Sequence, residues 1–210
     1  MAHIHLPDGV LPIQWVVFWW LLALALLLIA LVATRRRTIP LQRLAIAGML
    51  AAVSFAVFQI DIPIAGGVHM NLTPLIGILA GPGLGLFVIF IVNLLSAAVG
   101  HGGWGLVGAN TIVNLSEIAV AYYVFTTTKG RLAMFIRGAV AAIAGLTVGN
   151  VVFLFVILVS GIQGSALQGV TLLKYLLPIP ILNEIVAVGE AVVTGFVVEY
   201  LSKVRPDLLA

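Results

Sequence analysis

The four histidines are the residues of this sequence best suited to bind a metal ion. His3 and His5 lie near the start of the chain, His69 follows a pair of glycines, and His101 is surrounded by glycines. Neutral imidazole is the commonest protein ligand for late transition metals, and a square plane of nitrogens suits Ni(II) or Cu(II). The histidines therefore indicate a late-transition-metal site. The alternative is a set of solvated or interfacial loop residues, and for His101 an exposed loop position is the favoured interpretation.

The amino terminus could supply further nitrogen donors. If Met1 is retained, Met1-Ala2-His3 offers an amine, two amides and an imidazole. If Met1 is removed, Ala2 and His3 offer an amine, one amide and an imidazole, which leaves a fourth position for His69. A chelate at the terminus is thus one interpretation, and solvated terminal histidines are the other.

Acidic and amide side chains within apolar segments form a second group. Asn110, Asn114 and Glu117 recur at helical spacing on one face, and Glu184 and Glu190 lie in the last apolar segment. Such groups are costly in a membrane and usually face the protein interior. They predict a polar seam between helices, a set of residues that orient a metal-binding loop, or a proton relay.

The composition decides which kind of fold must position these residues. The chain is 62% hydrophobic and 8% charged, with a mean hydropathy of +1.24. Because a soluble domain is about half apolar and about a quarter charged, we exclude a soluble globular protein, a disordered tail and a nucleic-acid binder. Cysteine is absent, which excludes disulfides and thiolate metal sites. The sequence lacks the glycine-rich phosphate loop of ATPases, so any ATP use must come from a partner.

The apolar segments predict an all-α, multi-pass membrane protein that forms a single domain over residues 1–210, with residues 1–13 as a terminal metal-binding loop. Positively charged residues mark cytoplasmic loops, so the Arg35–Arg37 loop is placed inside and the amino terminus outside. The remaining basic loops fall inside only if the chain reverses at Gly81-Pro82-Gly83. This gives seven membrane helices, the third of them short, at about residues 15–34, 41–60, 72–80, 84–99, 107–127, 133–160 and 181–201.

The second predicted helix carries a strip of small residues. Gly48, Ala52 and Ala56 recur every fourth residue and would let another helix approach closely. The strip serves either packing within this chain or the docking of a separate membrane subunit.

Three segments together resemble a known family. His5-Leu6-Pro7-Asp8-Gly9 resembles the Met-His-Ile-Pro-Asp/Glu-Gly opening of the nickel/cobalt substrate-binding (S) components of energy-coupling factor (ECF) transporters, the CbiM/NikM family. His69-Met70-Asn71-Leu72-Thr73 is similar to the His-x-Leu-Thr region of that family. Gly100-His101-Gly102-Gly103, followed by Gly108-Ala109-Asn110, is similar to its Gly-Asp-Gly-Gly and Gly-Ala-Asn segments. The resemblance extends over most of the chain.

The resemblance implies a seven-helix subunit of the cell membrane that binds Ni(II) or Co(II) as its substrate. It is not an enzyme itself. The implied partners are a transmembrane coupling (T) subunit, ATP-binding-cassette ATPase subunits and a small accessory membrane subunit.

The resemblance also implies the metal ligands: the terminal amine, the backbone nitrogen and imidazole of the second-position histidine, and the imidazole of His69. Three extra residues precede His5, so motif alignment selects His5, whereas a nearby free amine selects His3. We therefore predict Met1, Ala2, His3 and His69 as ligands, with His5 as the alternative. His101 stands where relatives often have Asp and is not assigned as a ligand.

Two other transport functions fit the sequence. One is a vitamin-binding S component, and the other is a proton-coupled secondary carrier that uses Glu117, Glu184 or Glu190. A membrane-embedded metalloenzyme would need an open metal position beside a general base, and no H-E-x-x-H pattern is present.

Overall fold

The structure, a computed structural model, describes residues 8–35, 39–60 and 69–209, and this part of the chain is helical without strands. The predicted all-α fold is confirmed, whereas the count of seven membrane helices stays a prediction. Two 3-10 turns, Trp104–Leu106 and Pro206–Leu208, supplement the α-helices. In chain order the α-helices of the described residues are α1 (Ile13–Arg35), α2 (Leu41–Phe58), α3 (Thr73–Ala98), α4 (Val107–Thr127), α5 (Met134–Ser160), α6 (Gly169–Leu176) and α7 (Pro178–Val204).

Most of these helices are long and apolar enough to cross a membrane. Among the described residues, the candidate spans are five: α1, α2, α3, α5 and the nearly continuous stretch from α6 through α7. α4 has a comparable length of 21 residues but a more polar sequence. It packs against α1, α3 and α5, and it buries Thr111, Asn114 and Glu117 among these neighbours. The most polar long helix therefore lies at the centre of the bundle, where protein rather than lipid surrounds it.

α3 is interrupted at the predicted position. Gly81 has φ 71° and ψ 171°, which is not helical, and Pro82 follows it. A straight helix of these 26 residues would be about 39 Å long. The rings of His69 and His101, which flank α3 on its two sides, nevertheless have centroids only 4.6 Å apart. The chain must therefore reverse direction at the interruption, and the short first arm is shielded, since Thr73–Ile78 are all buried.

The molecule has two chemically different ends. Histidines lie at one end, whereas α2 begins at the other end beside the carboxyl-terminal turn. There, Gln42 Nε2 donates to Asp207 Oδ2 over 3.1 Å, and Arg205 Nη2 lies 2.8 Å from the same oxygen. The Arg205 guanidinium lowers the pKa of Asp207 to about 2. Thr34, Gly81, Tyr122 and Asp207 line one pocket. Because Asp207 belongs to this second end, the interruption of α3 at Gly81 lies toward the same end.

Arg137 is a basic residue that follows the loop between α4 and α5. It is buried near the start of α5. Its Nε donates to the carbonyl oxygen of Phe125 over 2.6 Å, and its guanidinium carbon lies 3.6 Å from the centroid of the Phe125 ring. Arg137 therefore fastens α5 to the last turns of α4 through a charge-assisted hydrogen bond and a cation–π contact.

Candidate metal centre

His69 is the predicted ligand that the structure describes, and it is fully buried. Its ring lies beside two others: the centroid of His101 is 4.6 Å away, and that of Phe58 is 5.3 Å away. The His101 and Phe58 centroids are in turn 5.2 Å apart. The last turn of α2 thus packs against two imidazoles that come from opposite sides of α3.

The segment from His69 to Thr73 is held from α2. The hydroxyl of Ser54 donates to the carbonyl oxygen of Asn71 over 2.5 Å. Leu72 adopts a left-handed conformation, with φ 57°. Asn71 Oδ1 accepts from the backbone N–H of Thr73 at 3.2 Å and lies 2.9 Å from its hydroxyl. The Asn71 side chain thereby forms an Asx turn that pairs the first backbone N–H of α3.

Two buried carboxylates hold the same segment from the other side. Glu117 of α4 accepts a hydrogen bond from the hydroxyl of Thr73. Glu190 of α7 accepts one from the backbone N–H of Asn71, with a distance of 3.4 Å. The His69 segment is therefore fixed by α2, α4 and α7 together. Glu190 was only one of several predicted membrane glutamates, and its burial in an apolar segment was the signal that it needed a specific partner.

The first described residue, Asp8, is attached close to His101. Its carboxylate accepts hydrogen bonds from the backbone N–H groups of Trp104 and Gly105, with distances of 3.1 and 2.8 Å. A Cβ atom at Gly103 would collide with the Asp8 carboxylate, so this close approach requires glycine. Asp8 is consequently held at the end of the molecule that carries both described histidines.

The other predicted ligands, Met1, Ala2, His3 and His5, lie outside the described residues, and their role stays a prediction. Within the described ranges, no group of three or more His, Cys, Asp or Glu residues is arranged to hold a metal ion. His69 and His101 are the two imidazoles that this part of the chain brings together. The expectation that His101 is an exposed loop residue is wrong, because it is partly buried against His69.

The three residues predicted to orient the metal-binding loop have different surroundings in the structure. Glu117 contacts the His69 segment through Thr73. Asn114 instead donates to Asn93 of α3 over 3.4 Å and belongs to a polar contact between the two helices. Asn110 is partly buried on the same helix. Glu184 is one of the glutamates that the carrier hypothesis would use. It accepts a hydrogen bond from Asn150 over 2.7 Å and thus links α7 to α5.

The small-residue strip of α2 lies on the surface of the described chain. Gly48, Ala52 and Ala56 are exposed, and a Cβ atom at Gly48 would meet nothing within 4 Å. α2 turns Ser54 and Phe58 inward instead. The strip is therefore not used for packing among the described helices.

A bundle of apolar helices with buried imidazoles at one end defines a multi-pass membrane protein with the groups for a metal site. Residues 5–208 match the family described as the cobalt uptake substrate-specific transmembrane region, CbiM, and the chain belongs to this family. The predicted class, a multi-pass membrane protein of nickel or cobalt transport, is thereby confirmed.

Named relatives and a solved structure agree with this assignment. The cobalt transport protein CbiM of Sorangium cellulosum is 30% identical over 98% of this chain and 94% of its own length. A protein of Archaeoglobus fulgidus, named as a fused nickel transport protein NikMN, is 30% identical over 98% of this chain and 68% of its own length. A crystal structure of a transition metal transporter has a TM-score of 0.82 over 95% of this chain and 93% of that chain. At 19% identity, this last likeness is one of fold.

Proposed function

We propose that this chain is the substrate-capture subunit of an ATP-driven ECF-type importer and that it binds Ni(II) or Co(II) at the histidine end. The observation that carries the proposal is the fixation of the buried His69 segment by Ser54, Glu117 and Glu190. A segment held from three helices keeps its imidazole in place before the ion arrives. Preorganisation of this kind lowers the cost of binding and holds a ligand to one geometry.

The remaining donors in this proposal come from the amino terminus. The amine and backbone nitrogen of Met1 or Ala2, together with the imidazole of His3, complete a plane of nitrogens with His69. The attachment of Asp8 near His101 supports this assignment. Five extended residues span at most about 18 Å, so His3 is within reach of the histidine end from Asp8. His5 is the alternative ligand.

The polar residues of α4 have different structural roles in this proposal. Glu117 orients the His69 segment through Thr73. Asn114 and Asn110 stabilise α4, the helix that presents Glu117. A proton-coupled carrier is the second candidate, because Glu117 and Glu190 are both buried beside this segment. Such a carrier would lose transport but keep metal binding when either glutamate is changed to glutamine.

The proposal also includes partners and orientation. The chain crosses the membrane seven times with its amino terminus outside, and it releases the ion inward. A T subunit docks on the strip of Gly48, Ala52 and Ala56, and ATP-binding-cassette subunits hydrolyse ATP. A small accessory membrane subunit completes the assembly. The exposure of the strip on α2 supports this docking surface.

The decisive experiment is Ni(II) titration of the purified protein with a free or a blocked amino terminus. We expect a Ni(II) ligand-field absorption that is lost on blocking the amine and lost in His3→Ala and His69→Ala. His5→Ala is the matched control and should retain it. Loss in His5→Ala but not in His3→Ala would transfer the ligand role to His5. Undiminished affinity in both the blocked protein and His69→Ala would overturn the proposal.

A further inference from the structure

His101 is held next to His69 by the way α3 ends. The N–H of His101 donates to the carbonyl oxygen of Ser96 over 2.8 Å, and that of Gly100 donates to Ala97 over 3.1 Å. Gly100 has φ 80°, so the helix closes with a left-handed glycine and a hydrogen bond that spans five residues. This arrangement is a Schellman motif. The backbone of His101 is therefore fixed by a helix cap rather than carried on a loosely held loop.

The distance between the two imidazoles fits two ligands of one metal ion. A metal ion lies about 2 Å from a coordinating nitrogen and hence about 3.2 Å from the centre of that ring. Two such rings at a right angle about the ion have centres about 4.5 Å apart. The observed separation is 4.6 Å, with 62° between the ring planes. Packed aromatic pairs span roughly 4.5–7 Å, so this pair lies at the short limit of ordinary packing.

Burial also suits a shared ion. Both ring nitrogens of His69 and Nε2 of His101 are shielded from solvent. His101 as a whole is partly exposed, whereas His69 is fully buried. The His101 ring therefore lies nearer the surface of the histidine end, and the His69 ring lies in its interior.

We propose that His101 is a further ligand of the ion bound by His69, in an apical position above the plane of nitrogens. The inference rests on the proposed function and extends its ligand set by one imidazole. A fifth nitrogen changes the geometry, and geometry rather than raw affinity selects among late transition metals. A four-coordinate square plane makes Ni(II) diamagnetic, whereas a nitrogen bound at the apical position favours the paramagnetic state. The site would also accommodate Co(II), which accepts five ligands readily.

The test combines X-ray absorption with magnetic susceptibility on the purified, Ni(II)-loaded full chain. The wild type should be paramagnetic, and its absorption spectrum should contain one imidazole more than that of His101→Gln. His101→Gln should be diamagnetic and retain Ni(II) in the plane. The matched control is Val99→Ala, an exposed position two residues earlier, which should behave as the wild type does.

The possible results separate this inference from the proposed function. A diamagnetic wild type with the same imidazole count as His101→Gln would overturn the apical ligand and reduce His101 to a packing residue. If His101→Gln does not fold, the number of imidazoles in the absorption spectrum of the wild type decides this point. An imidazole count that His69→Ala leaves unchanged would instead overturn the proposed site as a whole.

Discussion

At the scale of single residues, hydrogen bonds to buried carboxylates hold the candidate site. Glu117 and Glu190 lie where lipid surrounds the molecule, and charged groups there are costly unless they have partners. The His69 segment supplies such partners through the Thr73 hydroxyl and the Asn71 N–H. Stability and ligand positioning are therefore expected to change together when one of these contacts is removed.

Thr73→Val tests this coupling, because it removes a hydroxyl while nearly preserving the shape of the side chain. A buried carboxylate oxygen that loses a donor costs about 1–3 kcal/mol of folding free energy. We expect thermal unfolding in detergent at a lower temperature and a weaker Ni(II) affinity, since His69 lies four residues away. The control is Thr147→Val, which removes an exposed contact of 3.2 Å between a threonine and Glu184. Equal effects of the two substitutions would contradict the coupling.

At the scale of elements, the interruption of α3 brings His69 and His101 together, and Gly81 makes it possible. Only a residue without Cβ adopts φ 71° at little cost. The interruption also ends the first arm early enough for its neighbours to shield it. The geometry of the candidate site therefore depends on a glycine far from the imidazoles.

Gly81→Ala should destabilise the protein by about 1–3 kcal/mol, because φ 71° with ψ 171° lies in a backbone region that is essentially restricted to glycine. Gly83→Ala is the matched control two residues later, where φ is not positive and a Cβ atom would meet nothing within 4 Å. We expect it to be neutral or slightly stabilising, because alanine favours a helix. Chemical unfolding of both variants in the same detergent measures the difference. An equal or larger loss in Gly83→Ala would contradict the role assigned to Gly81.

The exposed strip of α2 allows a similar comparison. Ala52→Leu adds bulk where a partner helix would approach closely, so the coupling subunit should no longer copurify. Ni(II) binding should persist, because the substitution points away from the described core. Ala25→Leu places the same change at an exposed position of α1. Copurification that survives Ala52→Leu, or is equally lost in Ala25→Leu, would remove α2 as the docking surface.

At the scale of the whole molecule, local signals were predictable from the sequence and long-range contacts were not. The bounds of α4 and the interruption at Gly81 follow from apolar runs, glycine and proline. α7 begins at Pro178 rather than near residue 181, since proline is compatible with a first helical turn. The burial of Arg137 could not be predicted and His101 was misjudged, because their partners, Phe125 and His69, are distant in sequence.

The distribution of charge between the two ends predicts the orientation of the molecule. α1 runs from the end that holds Asp8 to Arg35 at the other end, and α4 likewise leads from that end to the basic loop that follows it. Cytoplasmic loops carry the excess of Lys and Arg, so the histidine end should face outward. Because the chain has no cysteine, introduced cysteines can be labelled without background. A membrane-impermeant maleimide should label Val99→Cys in intact cells and Leu132→Cys only after permeabilisation, since both positions are exposed but lie at opposite ends. Labelling of Leu132→Cys alone in intact cells would invert the orientation and place the candidate metal site on the cytoplasmic side.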